Sequence, residues 1–227
     1  MKTALITGTG KGIGHATADL FLTKGWRVIG TYTHDKGTIV SPNYSEIKLD
    51  LHSKKSVADA AKSIAKLAPQ IDVLINNAGI APDALKTKAD MEKIRVTFEV
   101  NVFGLIDLTE KVLPLLATGS HVINVSSRYG SFNFKIVDSY ATAYRMSKAA
   151  LNMYTRMLAF RLKDKKMRVS AIHPGWVKTD MGNMGVGPQD KARPDREPKD
   201  AAADIYRLAT SDVESGQFWF KGRQFEW

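Results

Sequence analysis

Thr3-Ala4-Leu5-Ile6-Thr7-Gly8-Thr9-Gly10-Lys11-Gly12-Ile13-Gly14 is a short apolar run that stops abruptly at four alternating glycines. Immediately after it, Ala16, Leu20 and Phe21 recur at helical spacing as far as Lys24-Gly25. The stretch reads as strand, glycine turn, helix. Glycines there permit a tight turn and let a pyrophosphate approach the backbone at the helix N-terminus, where unpaired N–H groups favour an anion. Lys11 is followed by Gly12, so the phosphate loop of ATPases, which needs Gly-Lys-Ser/Thr, is not matched. At this point a dinucleotide turn and a glycine-rich turn without a ligand both remain open.

Working outward, the same unit repeats. Strands are predicted at Arg27 to Tyr32, Glu46 to Asp50 and Ile71 to Ile75, with a helix over Lys54 to Leu67. A long helical stretch from Asp90 to Leu116 leads to a strand at His121 to Val125. A helix from Ala143 to Lys163 and a strand at Arg168 to Ile172 follow. Strands alternating with helices predict an α/β fold, a doubly wound parallel sheet in one domain spanning residues 1–227. After Pro174, glycines and prolines at Gly182, Gly185, Gly187, Pro188, Pro194 and Pro198 break regular structure, and residues 180–198 are expected to form a substrate lid. Asp200 to Thr210 reads as a helix. Gln217 to Phe220 and Gln224 to Glu226 read as a last strand or hairpin.

Composition fits one globular domain: 227 residues, 44% apolar and 25% charged. No apolar run approaches the ~20 residues of a membrane span, and Gly8 interrupts the start before a secretory core can form, so a soluble cytoplasmic protein is expected. With no cysteine, disulfides, cysteine–zinc sites, iron–sulfur clusters and thiol nucleophiles are excluded, and no metal site is expected. A formal charge of +10 would attract phosphates, nucleotides or nucleic acid. The basic residues are scattered among acids and prolines, and no helix-turn-helix, zinc-finger or aromatic RNA motif accompanies them, so neither nucleic acid nor a membrane is an expected partner.

Five ordered motifs make the chain resemble the short-chain dehydrogenase/reductase family. They are Thr7-Gly8…Gly12-x-Gly14, Asn76-Asn77-Ala78-Gly79, Asn101 heading Asn-Val-Phe-Gly, Ser126-Ser127 with Tyr144-x-x-x-Lys148, and Pro174-Gly175-Trp176-Val177-Lys178-Thr179. The stretch His173 to Gly182 and the ending Ser215-Gly216-Gln217-Phe218…Trp227 are similar to a carbonyl-reductase-like, C-factor-like branch. The resemblance implies a single-domain Rossmann fold, a nicotinamide cofactor and a small-molecule carbonyl or alcohol substrate. It also implies a homodimer or homotetramer paired through the two long helical stretches, to which Met146, Leu151, Met153, Met157 and Phe160 would lend apolar area.

The same resemblance assigns the cofactor site to Gly8, Thr9, Gly10, Lys11, Gly12, Ile13 and Gly14 in the turn. It places Asp50 and Leu51 by the adenine, Asn77 and Ala78 by the adenosine ribose, and Val177 and Thr179 by the nicotinamide amide, with Gly79, Pro174 and Gly175 also in the cofactor site. Enzymes that prefer NAD end the second strand with an acid that bonds the ribose hydroxyls and repels a 2′-phosphate. Here Tyr32-Thr33-His34 stand there and Lys11 lies in the turn, which favours NADP(H), with NAD(H) possible through Asp35. Thr33 departs from the arginine that many NADP-dependent members carry, leaving Lys11 and His34 to meet the phosphate.

Tyr144 and Lys148 are four residues apart on a helix, so phenol and ammonium share a face, and the cation favours the phenolate. A solvated surface pair is the plain alternative. Tyr140 has no lysine at that spacing. By resemblance, Ser127 holds the substrate carbonyl, Tyr144 passes the proton, Lys148 binds the nicotinamide ribose and tunes Tyr144, and Asn101 holds a relay water. Ser127 lies seventeen residues before Tyr144, more than in most members, and Ser126 and Ser131 are rivals. Alternate strand residues face opposite ways, so one of Ser126 and Ser127 faces the cofactor, and Ser127 is taken. Phe132, Phe134, Trp176 and Met181 line an apolar pocket or belong to the core. The competing reading is a nucleotide-binding sensor or signalling protein of the same fold without essential catalysis.

Overall fold

The computed structural model describes residues 1–184 and 192–227. Eight strands form one sheet: β1 Thr3–Ile6, β2 Arg27–Tyr32, β3 Tyr44–Lys48, β4 Ile71–Asn76, β5 Leu116–Val125, β6 Arg168–Ile172, β7 Gln217–Phe220 and β8 Arg223–Phe225. Their order is β3-β2-β1-β4-β5-β6-β7-β8, and every pairing is parallel except the terminal β7–β8 hairpin. The chain direction across the sheet reverses between β1 and β4, where doubly wound folds open a crevice at the strand C-terminal ends.

Alternation along the strands builds two cores. Leu5, Leu74 and Val122 face one side with α2 (Lys54–Leu67), α4 (Leu105–Val112) and α5 (Thr142–Arg161). Ile6, Ile75 and Ile123 face the other with α1 (Gly12–Thr23) and α7 (Pro198–Thr210). Two further helices among the described residues are α3 (Met91–Phe98) and α6 (Asp180–Met184). Ser53 caps α2 by accepting the Ser56 N–H, and Asp90 caps α3 by accepting those of Glu92 and Lys93. No helix among the described residues is long and apolar enough to cross a membrane.

Three elements differ from the sequence reading. The stretch from Asp90 to Leu116 is not one helix: a π turn over Glu99–Gly104 separates α3 from α4, and a 3₁₀ turn containing Pro114 closes α4. A side chain at Gly104 would collide with the Leu51 carbonyl, so this wide turn presses the helix onto the β3–α2 loop. Strand β5 starts early, at Leu116, and a left-handed Gly119 (φ 81°) absorbs the register jump from Ile71↔Leu116 to Val73↔His121. Strand β3 begins and ends two residues earlier than expected. Of the expected lid, Asp180–Met184 is the short helix α6, whereas residues 185–191, including Gly185 and Gly187, lie outside the described residues.

Candidate active site

The turn between β1 and α1 needs its glycines. Gly8 and Gly12 adopt φ of 73° and 60°, and a side chain on Gly14 would meet the Gly8 carbonyl and the Asn77 amide. Thr7 locks this turn to the end of β4: its Oγ1 accepts the N–H groups of Asn77 and Ala78, both at 3.0 Å. Asn77 returns its Nδ2 to the carbonyls of Thr7 (2.9 Å) and Gly8 (3.2 Å). Helix α1 has no side-chain cap, so its first N–H groups are left for a ligand at the crevice. A close-approach turn backed by an uncapped helix fits a dinucleotide pyrophosphate.

Other residues assigned to the cofactor are placed as follows. Thr9 is fully buried, its hydroxyl donating to the Thr31 carbonyl and meeting the Tyr44 hydroxyl at 2.8 Å, which leaves only its backbone for a ligand. Gly10 packs on the Asp35 carbonyl, and Ile13 packs against the core. The Thr33 hydroxyl is spent on the Leu49 carbonyl (2.9 Å), while His34 is exposed. Asp50 accepts the His52 N–H and Leu51 is buried. Lys11 points its exposed ammonium at Asp180, 2.6 Å away, and that bond raises its pKa. The Pro174 carbonyl accepts from Arg196, and Gly175 (φ 89°) lies against that side chain. Val177 bridges to Arg196, and the Thr179 methyl faces Gly12 across the crevice.

Two of the proposed catalytic side chains, Asn101 and Lys148, meet beside Gly79. A side chain on Gly79 would stand 3.1 Å from Asn101 Oδ1 and 3.7 Å from Lys148 Nζ. Asn101, on the π turn and fully buried, accepts the Ile80 N–H (2.8 Å) and donates to the Ile80 carbonyl (2.9 Å) and to Ser147 Oγ (3.1 Å). Lys148 donates to the Val125 carbonyl at 2.8 Å and sits 5.6 Å from the centre of the Tyr144 ring. Burial pulls the lysine pKa down to about 8. Burial also pushes the Tyr144 phenol up to about 12, against the pull of the neighbouring Ser127 hydroxyl, with Tyr129 adding to the rise.

The three serines have different partners. Ser126 donates to Asn152 Oδ1 at 2.5 Å, away from Tyr144, and Ser131 accepts the Asn133 N–H. Ser127 stands by Tyr144 and caps the 3₁₀ turn Arg128–Gly130 through the Tyr129 N–H. Of the aromatics assigned to a pocket, Phe132 is exposed, Phe134 lies 5.9 Å from Tyr129, and Trp176 donates to the Gly182 carbonyl.

Residues 2–186 match the short chain dehydrogenase family. The chain belongs to that family. A 3-oxoacyl-acyl-carrier-protein reductase, FabG of Vibrio cholerae, is 30% identical over 187 residues, covering 79% of this chain and 75% of that one. Protein FixR of Bradyrhizobium diazoefficiens is 32% identical over 207 residues, 85% of this chain and 71% of its own. Among solved structures, an NADPH-bound carbonyl reductase from chicken fatty liver superposes with a TM-score of 0.86 at 27% identity, over 100% of this chain and 99% of the other. The carbonyl reductase Sniffer of Caenorhabditis elegans, described as putative, gives 0.83 at 26%, over the whole of both chains.

In this short-chain dehydrogenase, several supporting residues escaped the sequence reading. Asn76 donates to Thr109 and Asn124, and Asn124 donates to Thr155, a buried polar chain that ties β4 and β5 to α4 and α5 beneath the site. Asp83, also buried, accepts the Ala143 N–H at 2.6 Å and so holds the first turn of α5. Only Asn76 carried a signal, as the first letter of its motif. Asp83 meets its partner sixty residues away.

Proposed function

We propose that this short-chain dehydrogenase interconverts a carbonyl and an alcohol, with NADP(H) preferred and Ser127, Tyr144, Lys148 and Asn101 as the working set. The observation that carries this reading is the convergence of a phenol, a buried ammonium, a serine hydroxyl beside the phenol and a buried asparagine at the end of β4 and β5, next to an uncapped glycine turn. When bound, the nicotinamide supplies or accepts the hydride. In the reducing direction Ser127 donates a hydrogen bond to the substrate carbonyl and fixes its orientation. Tyr144 gives its phenolic proton to the same oxygen, which becomes the hydroxyl. The Lys148 ammonium favours the phenolate left behind. Asn101 holds the Gly79–Ile80 backbone and Ser147 in register beside Lys148. Oxidation of an alcohol runs through the same atoms in reverse.

The NADP preference is supported by the missing acid at the end of β2 and by Lys11 in the turn, together with the NADPH held by the chicken carbonyl reductase. The exposed Met146, Met153, Met157 and Phe160 of α5, with Phe103 beside α4, support pairing of two copies across these helices. A sensor without chemistry would have no use for a buried lysine whose ammonium lacks a carboxylate partner among the described residues. Following NADPH and NADH oxidation against a panel of ketones, aldehydes and quinones, with a titration of each nucleotide, tests the reading. Turnover of at least one carbonyl and tighter binding of NADPH are expected. No turnover with either nucleotide contradicts the enzyme, and equal affinities contradict the preference.

A further inference from the structure

The residue after the proposed carbonyl-holding serine is an arginine with no acidic partner among the described residues. Arg128 begins the 3₁₀ turn that Ser127 caps, so its Cα is only about 3.8 Å from that of Ser127. The turn is rigid. Asn152 donates to the Gly130 carbonyl at 3.0 Å, and a side chain on Gly130 would strike the backbone of Lys148 and Ala149. The guanidinium lies 4.9 Å from the centre of the Phe134 ring and 5.9 Å from that of Tyr129. It is half-buried and takes part in no ion pair and no side-chain hydrogen bond among the described residues. Its two arginine neighbours are both neutralised, Arg145 by Asp138 at 2.7 Å and Arg196 by Asp204 at 2.7 Å.

We propose that Arg128 is the recognition point for an oxyanion on the substrate, so that the preferred carbonyl compound also bears a carboxylate or a phosphate. The inference rests on the redox reading of the same site and names the substrate class for it. A guanidinium offers five N–H donors in a planar fork that matches a carboxylate or phosphate with two parallel bonds. Leaving such a group partly desolvated and unpaired is costly, and an arriving oxyanion repays that cost. The aromatic rings of Phe134 and Tyr129 hold the guanidinium without neutralising it. Tyr129, whose N–H is accepted by the Ser127 hydroxyl at 3.2 Å, is close enough to Tyr144 to raise that phenol's pKa, so the stack stands next to Ser127 and Tyr144. Local positive potential is felt by buried His173, whose protonation is opposed first by burial and then by Arg128, Arg196 and Lys221.

Two matched pairs of substrates test it: benzoylformate against its methyl ester, and dihydroxyacetone phosphate against dihydroxyacetone. The wild-type protein should show at least a tenfold higher kcat/KM for the anionic member of one pair, and the pair in which this appears identifies the oxyanion. In Arg128→Gln that ratio should fall to near one, with the loss mainly in KM, and Arg128→Lys should restore part of it. No anion preference in either pair, or a preference that Arg128→Gln keeps, overturns the proposal while leaving the redox reading intact. Should none of the four be reduced, calorimetric titration of benzoate and of inorganic phosphate into NADPH-loaded protein decides. Binding of either that weakens at least tenfold in Arg128→Gln supports the site, and no binding, or binding the substitution does not change, overturns it.

Discussion

Lys148 is the residue whose environment says most about how the site works. It is nearly inaccessible to solvent, its ammonium donates to the Val125 carbonyl, and burial brings its pKa to about 8. Tyr144, pushed to about 12, stays a protonated acid across the ordinary range. The proposed mechanism needs both groups protonated for reduction, so in it the lysine sets the limit. The rate is expected to be level near pH 7, to halve near pH 8 and to fall with a slope approaching tenfold per unit above it. A pH profile of kcat/KM in the reducing direction checks this, and a profile level to pH 10 contradicts it. The spacing of Tyr144 and Lys148 was legible in the sequence because i, i+4 partners must share a helix face. The burial that moves both pKa values was not, because it comes from β5 and the loop after β4.

At the scale of elements, α5 carries both of those side chains and starts in an unusual way. Its N-cap, Ala141, is left-handed (φ 58°) and has no side chain able to cap. Asp83, from the loop after β4, takes over by accepting the Ala143 N–H inside the protein. Asp83→Ala is expected to destabilise the protein by about 1–2 kcal/mol and to loosen the turn next to Tyr144. Asp83→Asn keeps an acceptor and should lose less. Urea denaturation of the two variants measures the difference, and equal midpoints for Asp83→Ala and wild type would refute the role. The same loop shows where sequence reading stops. The strand–turn–helix order and all eight strands could be placed near their positions, β5 by its second half, because period-2 and period-3.6 patterns are local. The π turn at Asn101 and the early start of β5 could not, since both answer contacts from distant segments, the Leu51 carbonyl and the Ile71 register.

Over the whole molecule, two buried histidines, His121 within β5 and His173 just after β6, couple stability to acidity. His121 and His173 are both held at about 3, chiefly by burial, with Arg168 adding to the effect at His121 and Arg128, Arg196 and Lys221 at His173. In the unfolded chain each takes up a proton near pH 6.5, while in the folded protein each stays neutral until about pH 3. The unfolded state therefore binds more protons in that window, and stability falls as pH drops through it, by about 1.4 kcal/mol per unit for each histidine. Urea midpoints measured from pH 7.5 to 4.5 should be constant above about 6.5 and decline below. A midpoint constant throughout would contradict the buried neutral state. The family, the doubly wound sheet and the glycine crevice were legible from ordered motifs at the strand ends. The polar chain from Asn76 to Thr155 was not, because its four members come from four separate elements.

The central claim, proton transfer by Tyr144 in a nicotinamide-dependent carbonyl reduction, is tested most directly by Tyr144→Phe. The substitution removes one oxygen and keeps the ring that packs beside Lys148. Single-turnover oxidation of bound NADPH by the best substrate of the panel should slow by about 10²–10⁴-fold, with NADPH affinity within a few-fold of wild type. Oxidation at the wild-type rate in Tyr144→Phe would contradict the account.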